Sequence, residues 1–169
     1  MIEIAITQDM INRAKLKSDA MGIIPNSITE GLGNMAGFIG EQAANEVIKG
    51  IINNTYDYDI FQDNIAWDIK TKRCTSRPKP HYECSVASLN THQKCTRYAF
   101  VRLHIKNDSW YRAYILGWLD KDDYYKKAKF LKKGDIDPDN NFVVKANCYN
   151  VKISDLNTFE SKNILFLHH

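Results

Sequence analysis

Apolar and polar residues alternate most regularly in the stretch 56–72. Two apolar and aromatic runs flank Asp63-Asn64, a pair that tolerates positive φ and suits a two-residue turn. The pattern predicts a β-hairpin. With the turn there, Gln62 faces Ile65, Phe61 faces Ala66, Ile60 faces Trp67 and Asp59 faces Asp68. Side chains alternate between the faces of a strand. Asp57, Asp59, Asp68 and Lys70 therefore share one face, and Tyr58, Ile60, Trp67 and Ile69 the other.

The period changes upstream. Over 35–51, Gly37, Gly40, Ala44, Val47, Ile48 and Ile51 recur at helical spacing and form one stripe. The first half of that stripe is small, so the helix backbone can lie close to a sheet. Glu41 projects roughly 60° from the stripe's middle, at the edge of the buried face. An earlier helix is expected over 7–20, with Thr7 as N-cap and Gly22 just past its end. The segment 22–33 reads as a loop, and Asn26, Ser27, Thr29 and Asn34 are candidate phosphate contacts there or close by.

Downstream, strands are expected over 82–87, 98–105 and 110–119, with a short helix or loop over 88–95 and a turn at Asn107-Asp108. Gly117 marks a bulge or a close backbone contact. A lysine-rich helix is expected over 120–133, stopped by Gly134, and one or two strands over 141–153.

The chain has 169 residues, enough for one domain with a substantial core, and we read 1–169 as that domain. The formal net charge is only +3, so any nucleic-acid binding must come from local clustering. No stretch is apolar enough to span a membrane, and residues 1–4 lack the start of a signal peptide. These features predict a cytoplasmic protein (host cytoplasm if viral) with no membrane partner. The four cysteines, Cys74, Cys84, Cys95 and Cys148, contain no Cys-x-x-Cys pair and fit no usual zinc spacing even with His81 and His92. They read as free thiols.

Candidate chemistry lies in the hairpin. Opposed carboxylates destabilise a strand pair, and a cation between them offsets that cost. Hard divalent ions such as Mg²⁺ take oxygen ligands. Lys70, two residues beyond Asp68, points the same way and would polarise a water or neutralise developing negative charge. A solvated face of mixed charge is the plain alternative. The segment 71–80 is basic and broken by prolines. Its Lys72, Arg73, Arg77 and Lys79 would suit a polyanionic substrate.

Gly-x-x-Gly-Glu on a helix, an Asp on one strand and Asp-x-Lys on the next together resemble the PD-(D/E)XK nuclease superfamily. Glu41 matches the helical acid, Asp59 the first strand acid, and Asp68 with Lys70 the second acid and the lysine. The match is close over the first half of the chain; later it lies in the strand-helix-strand rhythm alone. Tyr58 stands where the motif has proline, which leaves Asp57 and Asp59 both open as the ligand.

The resemblance implies an α/β fold with a restriction-endonuclease-like core, a mixed central β-sheet flanked by helices. It implies metal-dependent endonucleolytic cleavage of DNA, as in small phage or bacterial endonucleases. Mg²⁺, with Mn²⁺ able to substitute, would be held by Asp59 and Asp68, with Glu41 as a further ligand directly or through water. Lys70 would complete the catalytic set Glu41, Asp59, Asp68 and Lys70. Cutting both strands would favour a homodimer. The alternatives are a structure-selective nuclease of the Holliday-junction resolvase type and a non-catalytic DNA-binding protein that retains the fold.

Overall fold

A computed structural model describes residues 1–21, 32–138 and 140–159. Residues 22–31 of the expected 22–33 loop, with Asn26, Ser27 and Thr29, lie outside the described residues.

The chain runs β1 (Ile2–Ala5), α1 (Gln8–Met21), α2 (Leu32–Ile48), β2 (Ile51–Ile52), β3 (Ile60–Gln62), β4 (Ile65–Cys74) and β5 (Glu83–Ala87). A 3-10 turn at Ser88–His92 follows, then β6 (Arg97–Lys106), β7 (Ser109–Asp120), α3 (Lys121–Lys127), β8 (Lys129–Leu131) and β9 (Cys148–Lys152). This is a mixed α/β architecture. Six strands form one sheet in the order β1-β7-β6-β4-β3-β2, and three form a second in the order β5-β9-β8. Within the large sheet β4 and β6 are parallel and the other pairs antiparallel. Among the described residues, no helix is long and apolar enough to cross a membrane.

Alternation along the long strands builds two cores. Ile69, Ala99, Val101, Leu103, Ala113 and Ile115 point to one face, where they meet Ile39, Ala43, Ala44 and Ile48 of α2. Tyr98, Phe100, Tyr114 and Leu116 point to the other, against Cys84 and Val86 of β5, Val151 of β9 and Tyr124 of α3. The large sheet is thus roofed by helices on one side and by the small sheet on the other. Each core removes a continuous apolar face from water, which is the main stabilising term.

The small residues of α2 do what their size suggests at Gly40. A Cβ there would stand 2.0 Å from Thr71 Oγ1, so the helix backbone lies directly on β4. Gly37 has open space around it. The helix ends at Ile48, three residues before its expected end, and Ile51 is an exposed residue of β2. Lys49 turns at φ 60°, and the Asn45 side chain clamps both the amide and the carbonyl of Gly50. Thr7 caps α1 as expected, its Oγ1 accepting from the Met10 amide at 3.2 Å.

The 120–133 helix is shorter than expected. Seven residues form α3, after which Lys129 and Leu131 enter β8. Tyr124, fully buried, donates to the Cys84 and Tyr149 carbonyls and anchors the turn from helix to strand. Gly134 lies in a later turn, at φ 92°. Gly117 combines both expected features. The β6–β7 register shifts beside it, and a Cβ at its φ of 148° would stand 2.4 Å from the Asn157 carbonyl oxygen.

Candidate active site

The hairpin forms in the expected register. Ile60 pairs with Trp67, Phe61 with Ala66 and Gln62 with Ile65, and Asp63 and Asn64 both take positive φ. The register stops there. The Asp59 amide donates to the Trp67 carbonyl at 2.8 Å, so Asp59 does not sit opposite Asp68 in a continuing ladder. The chain bends away, and β4 runs on without β3. Asp59 Oδ2 then accepts from the Ile69 amide at 2.8 Å, satisfying a strand-edge donor that β3 leaves open.

That bend changes two expectations. Tyr58 packs with the second core, on the side away from Ile60. Asp57 does not face Lys70; its Oδ1 accepts from the Lys94 amide at 2.9 Å. Within the segment 53–59, the Asn53 and Asn54 amides both donate to the Asp59 carbonyl, at 2.8 and 3.3 Å. The segment is thereby folded into a tight loop that projects Asn54 and Asp59 toward α2.

Glu41 meets them there. Its side chain is only 6% exposed. Asn54 Nδ2 donates to Glu41 Oε2, and Lys17 of α1 donates to Asn54 Oδ1. Glu41 and Asp59 act on each other electrostatically. Burial raises the Glu41 pKa, opposed by the Asn54 hydrogen bond and the Lys17 charge. Burial also raises Asp59, to about 8, reinforced by the charges of Glu41 and Asp68. The three carboxylates thus form one electrostatic group.

Asp68 and Lys70 complete it. Asp68 is 4% exposed, and its Oδ2 lies 2.6 Å from Lys70 Nζ. The contact is an ion pair, and beyond it Oδ2 accepts no hydrogen bond from the described residues. Lys70 Nζ lies 3.4 Å from Gln93 Oε1 and 5.8 Å from the centre of the Tyr98 ring. Gln93 Nε2 in turn donates to the Tyr56 carbonyl at 2.8 Å, and Lys121 donates to the carbonyls of Thr91 and Gln93. The turn after β5 is therefore tied down where it meets the lysine.

Among the described residues, no three His, Cys, Asp or Glu side chains stand so as to hold a metal ion by themselves. The donor chemistry nevertheless suits Mg²⁺, which is bound through one or two carboxylates and keeps several waters. The Glu41–Asp59 pair and the Asp68 carboxylate are the places where a cation would act.

The basic residues are dispersed. Strand β4 continues to Cys74, so Lys72 and Arg73 belong to the strand and not to a loop. Residues 75–80 leave it about 20 Å beyond Asp68, at about 3.3 Å per residue. Arg77 pairs with Glu3 of β1 and stacks over Tyr114, while Arg73 and Lys79 are exposed. Of the four, Lys72 stays nearest the carboxylates, on the same face of β4 as Asp68 and Lys70.

Lys17, Asn54 and Gln93 join the site without a local sequence signal. Lys17 sits on α1, where nothing in the helical pattern sets it apart from the other polar residues. Asn54 and Gln93 lie in turn-rich stretches whose side chains gain direction only from tertiary contacts. All four cysteines are free thiols, as expected. Neither a protein-family model nor a curated protein matches the chain.

Proposed function

We propose that this chain is a Mg²⁺-dependent deoxyribonuclease with a restriction-endonuclease-like core. The observation that supports it is the electrostatic joining of Glu41, Asp59 and Asp68, with Lys70 held against Asp68. These side chains come from a helix, a loop and a strand, and gathering them in a half-buried site is costly unless a cation and a phosphate enter.

Asp59 and Asp68 would hold the ion, with Glu41 as a ligand directly or through water. The ion would supply charge neutralisation at the scissile phosphate and lower the pKa of water there. Lys70 keeps its ammonium beside the reacting centre, where it orients the attacking water and donates to a phosphoryl oxygen as charge develops. Gln93 Oε1 accepts from that ammonium as well. Asn54, held by Lys17, sets the Glu41 carboxylate and leaves its other oxygen for the site.

Incubation with supercoiled, linear and branched DNA, with Mg²⁺ or Mn²⁺ and with EDTA, tests the reading. Metal-dependent cleavage lost in Asp68→Asn is the expected result. Cutting confined to branched DNA would instead assign a structure-selective nuclease. DNA binding without cleavage under either ion would assign a non-catalytic binding protein.

A further inference from the structure

Past the carboxylates, the face of β4 that carries Lys70 continues to Lys72. The parallel register sets Lys72 beside Arg102 of β6. Like charges opposed on neighbouring strands repel. Both side chains reach across to β5: Lys72 Nζ donates to Ser85 Oγ at 2.8 Å, and Arg102 Nη2 to the Glu83 carbonyl at 2.7 Å. They stand at the junction of two recesses. The first, about 200 Å³, runs between the sheets from Lys70 past Ser85 and Phe100. The second, about 450 Å³, opens outward and is lined by His81, Tyr82 and Phe142. Lys72, Arg102 and Glu83 line both.

We propose that these two recesses form one track for a single nucleic-acid strand, its phosphates held between Lys72 and Arg102 and its bases stacked on Tyr82 and Phe142. The track extends the nuclease reading, since it begins at Lys70, and it names the part of the substrate that the chain grips.

Three observations carry it. The two cations face one carboxylate on the wall, Glu83, which leaves the junction net positive. Lys72 is exposed beside Arg102, and a phosphate between them would offset their repulsion. Phe142 is 73% exposed beside these cations, and Tyr82 lies 5.7 Å from the Arg102 guanidinium and edge-on to His81. A basic groove interleaved with aromatic rings is how single strands are bound without sequence readout. Finally, packed sheets stand about 10 Å apart, so the first recess is too narrow to admit a duplex.

The test is fluorescence anisotropy in EDTA with the full chain, so that cleavage plays no part. The probes are labelled oligo-dT and oligo-U of about fifteen nucleotides and a duplex of equal length. Single strands should bind more tightly than duplex. Phe142→Ala, at an exposed position, and Lys72→Gln, which keeps a donor for Ser85, should each weaken that binding roughly ten-fold. Only Lys72→Gln should flatten the salt dependence. Preference for oligo-dT or for oligo-U would leave the track standing and assign its sugar. Tighter duplex binding, no single-strand binding, or unchanged affinity in both variants would overturn it. Loss of single-strand binding in the variants, in a protein that never cleaves, would sink the nuclease reading and keep the track. Metal-dependent cleavage with recess variants that bind normally would do the reverse.

Discussion

The Lys70 ammonium lies 2.6 Å from Asp68 Oδ2, two residues back along the same strand. Neighbours at that spacing share a face, so the pair is built into β4. Lys70→Met keeps much of the length and removes the charge and the proton donors. Single-turnover cleavage in Mg²⁺ should fall about 10²-fold or more, the scale for loss of a transition-state charge stabiliser. DNA binding in Ca²⁺ should largely survive. A variant that folds, binds and cuts at the parental rate would remove Lys70 from the chemistry.

The metal-free protein should lose stability as pH rises. Asp59 has a folded pKa of about 8 against an ordinary 3.8. Between those values the folded state holds a proton that the unfolded state has released. The stabilisation from this group is complete below about 4 and is lost as pH climbs through about 8. Asp59→Asn should flatten this trend and raise the melting temperature in EDTA at pH 8, while abolishing cleavage. A lower melting temperature there would contradict the carboxylate repulsion.

Cation binding should release protons for the same reason. Titration calorimetry of Mg²⁺ in two buffers of different ionisation enthalpy should show net proton release at pH 7, and affinity should rise with pH up to about 8. Binding with no proton release would place the ion away from Asp59.

Asn54→Ala removes the donor that lowers the Glu41 pKa. The acid limb of the pH-rate profile should move to higher pH, with a smaller shift for Lys17→Met, which acts through Asn54. An unmoved acid limb in Asn54→Ala would detach Glu41 from the rate.

Gly40→Ala should destabilise the protein by about 1–3 kcal/mol, because the new methyl meets the side chain of Thr71. Thr71→Ala should recover part of that loss in the double variant. Additive effects in a double-mutant cycle by chemical denaturation would show that helix and strand do not press on each other here.

The site was legible where local pattern decides geometry. Asp63-Asn64 set the hairpin register, and Gly40 announced the close approach of α2 to β4. The pattern failed where a tertiary contact overrides it. The pattern places Asp59 in an unbroken ladder, but its carboxylate satisfies the Ile69 amide only if the strand bends first. The pattern makes β4 too short because Thr71, Lys72 and Arg73 look like loop; their strand conformation comes from the parallel pairing with β6. The lysine-rich segment after Asp120 has a helical composition throughout. What ends α3 early is the burial of Tyr124 and the pairing of β8 with β9, two facts stored far apart in the chain.

The pairing of β5 with β9 governs when the protein becomes whole. Among the described residues strand β5 has no other neighbour in its sheet, and β9 follows it only after β6, β7, α3 and β8. Contacts that distant form slowly. A nascent chain that has passed Lys106 already holds Glu41, Asp59, Asp68 and Lys70, yet the layer above Lys70 and Lys72 still lacks its middle strand. Truncation before Cys148 would therefore leave every acid and the lysine in place beside an open strand edge, giving a product inclined to aggregate rather than to cut.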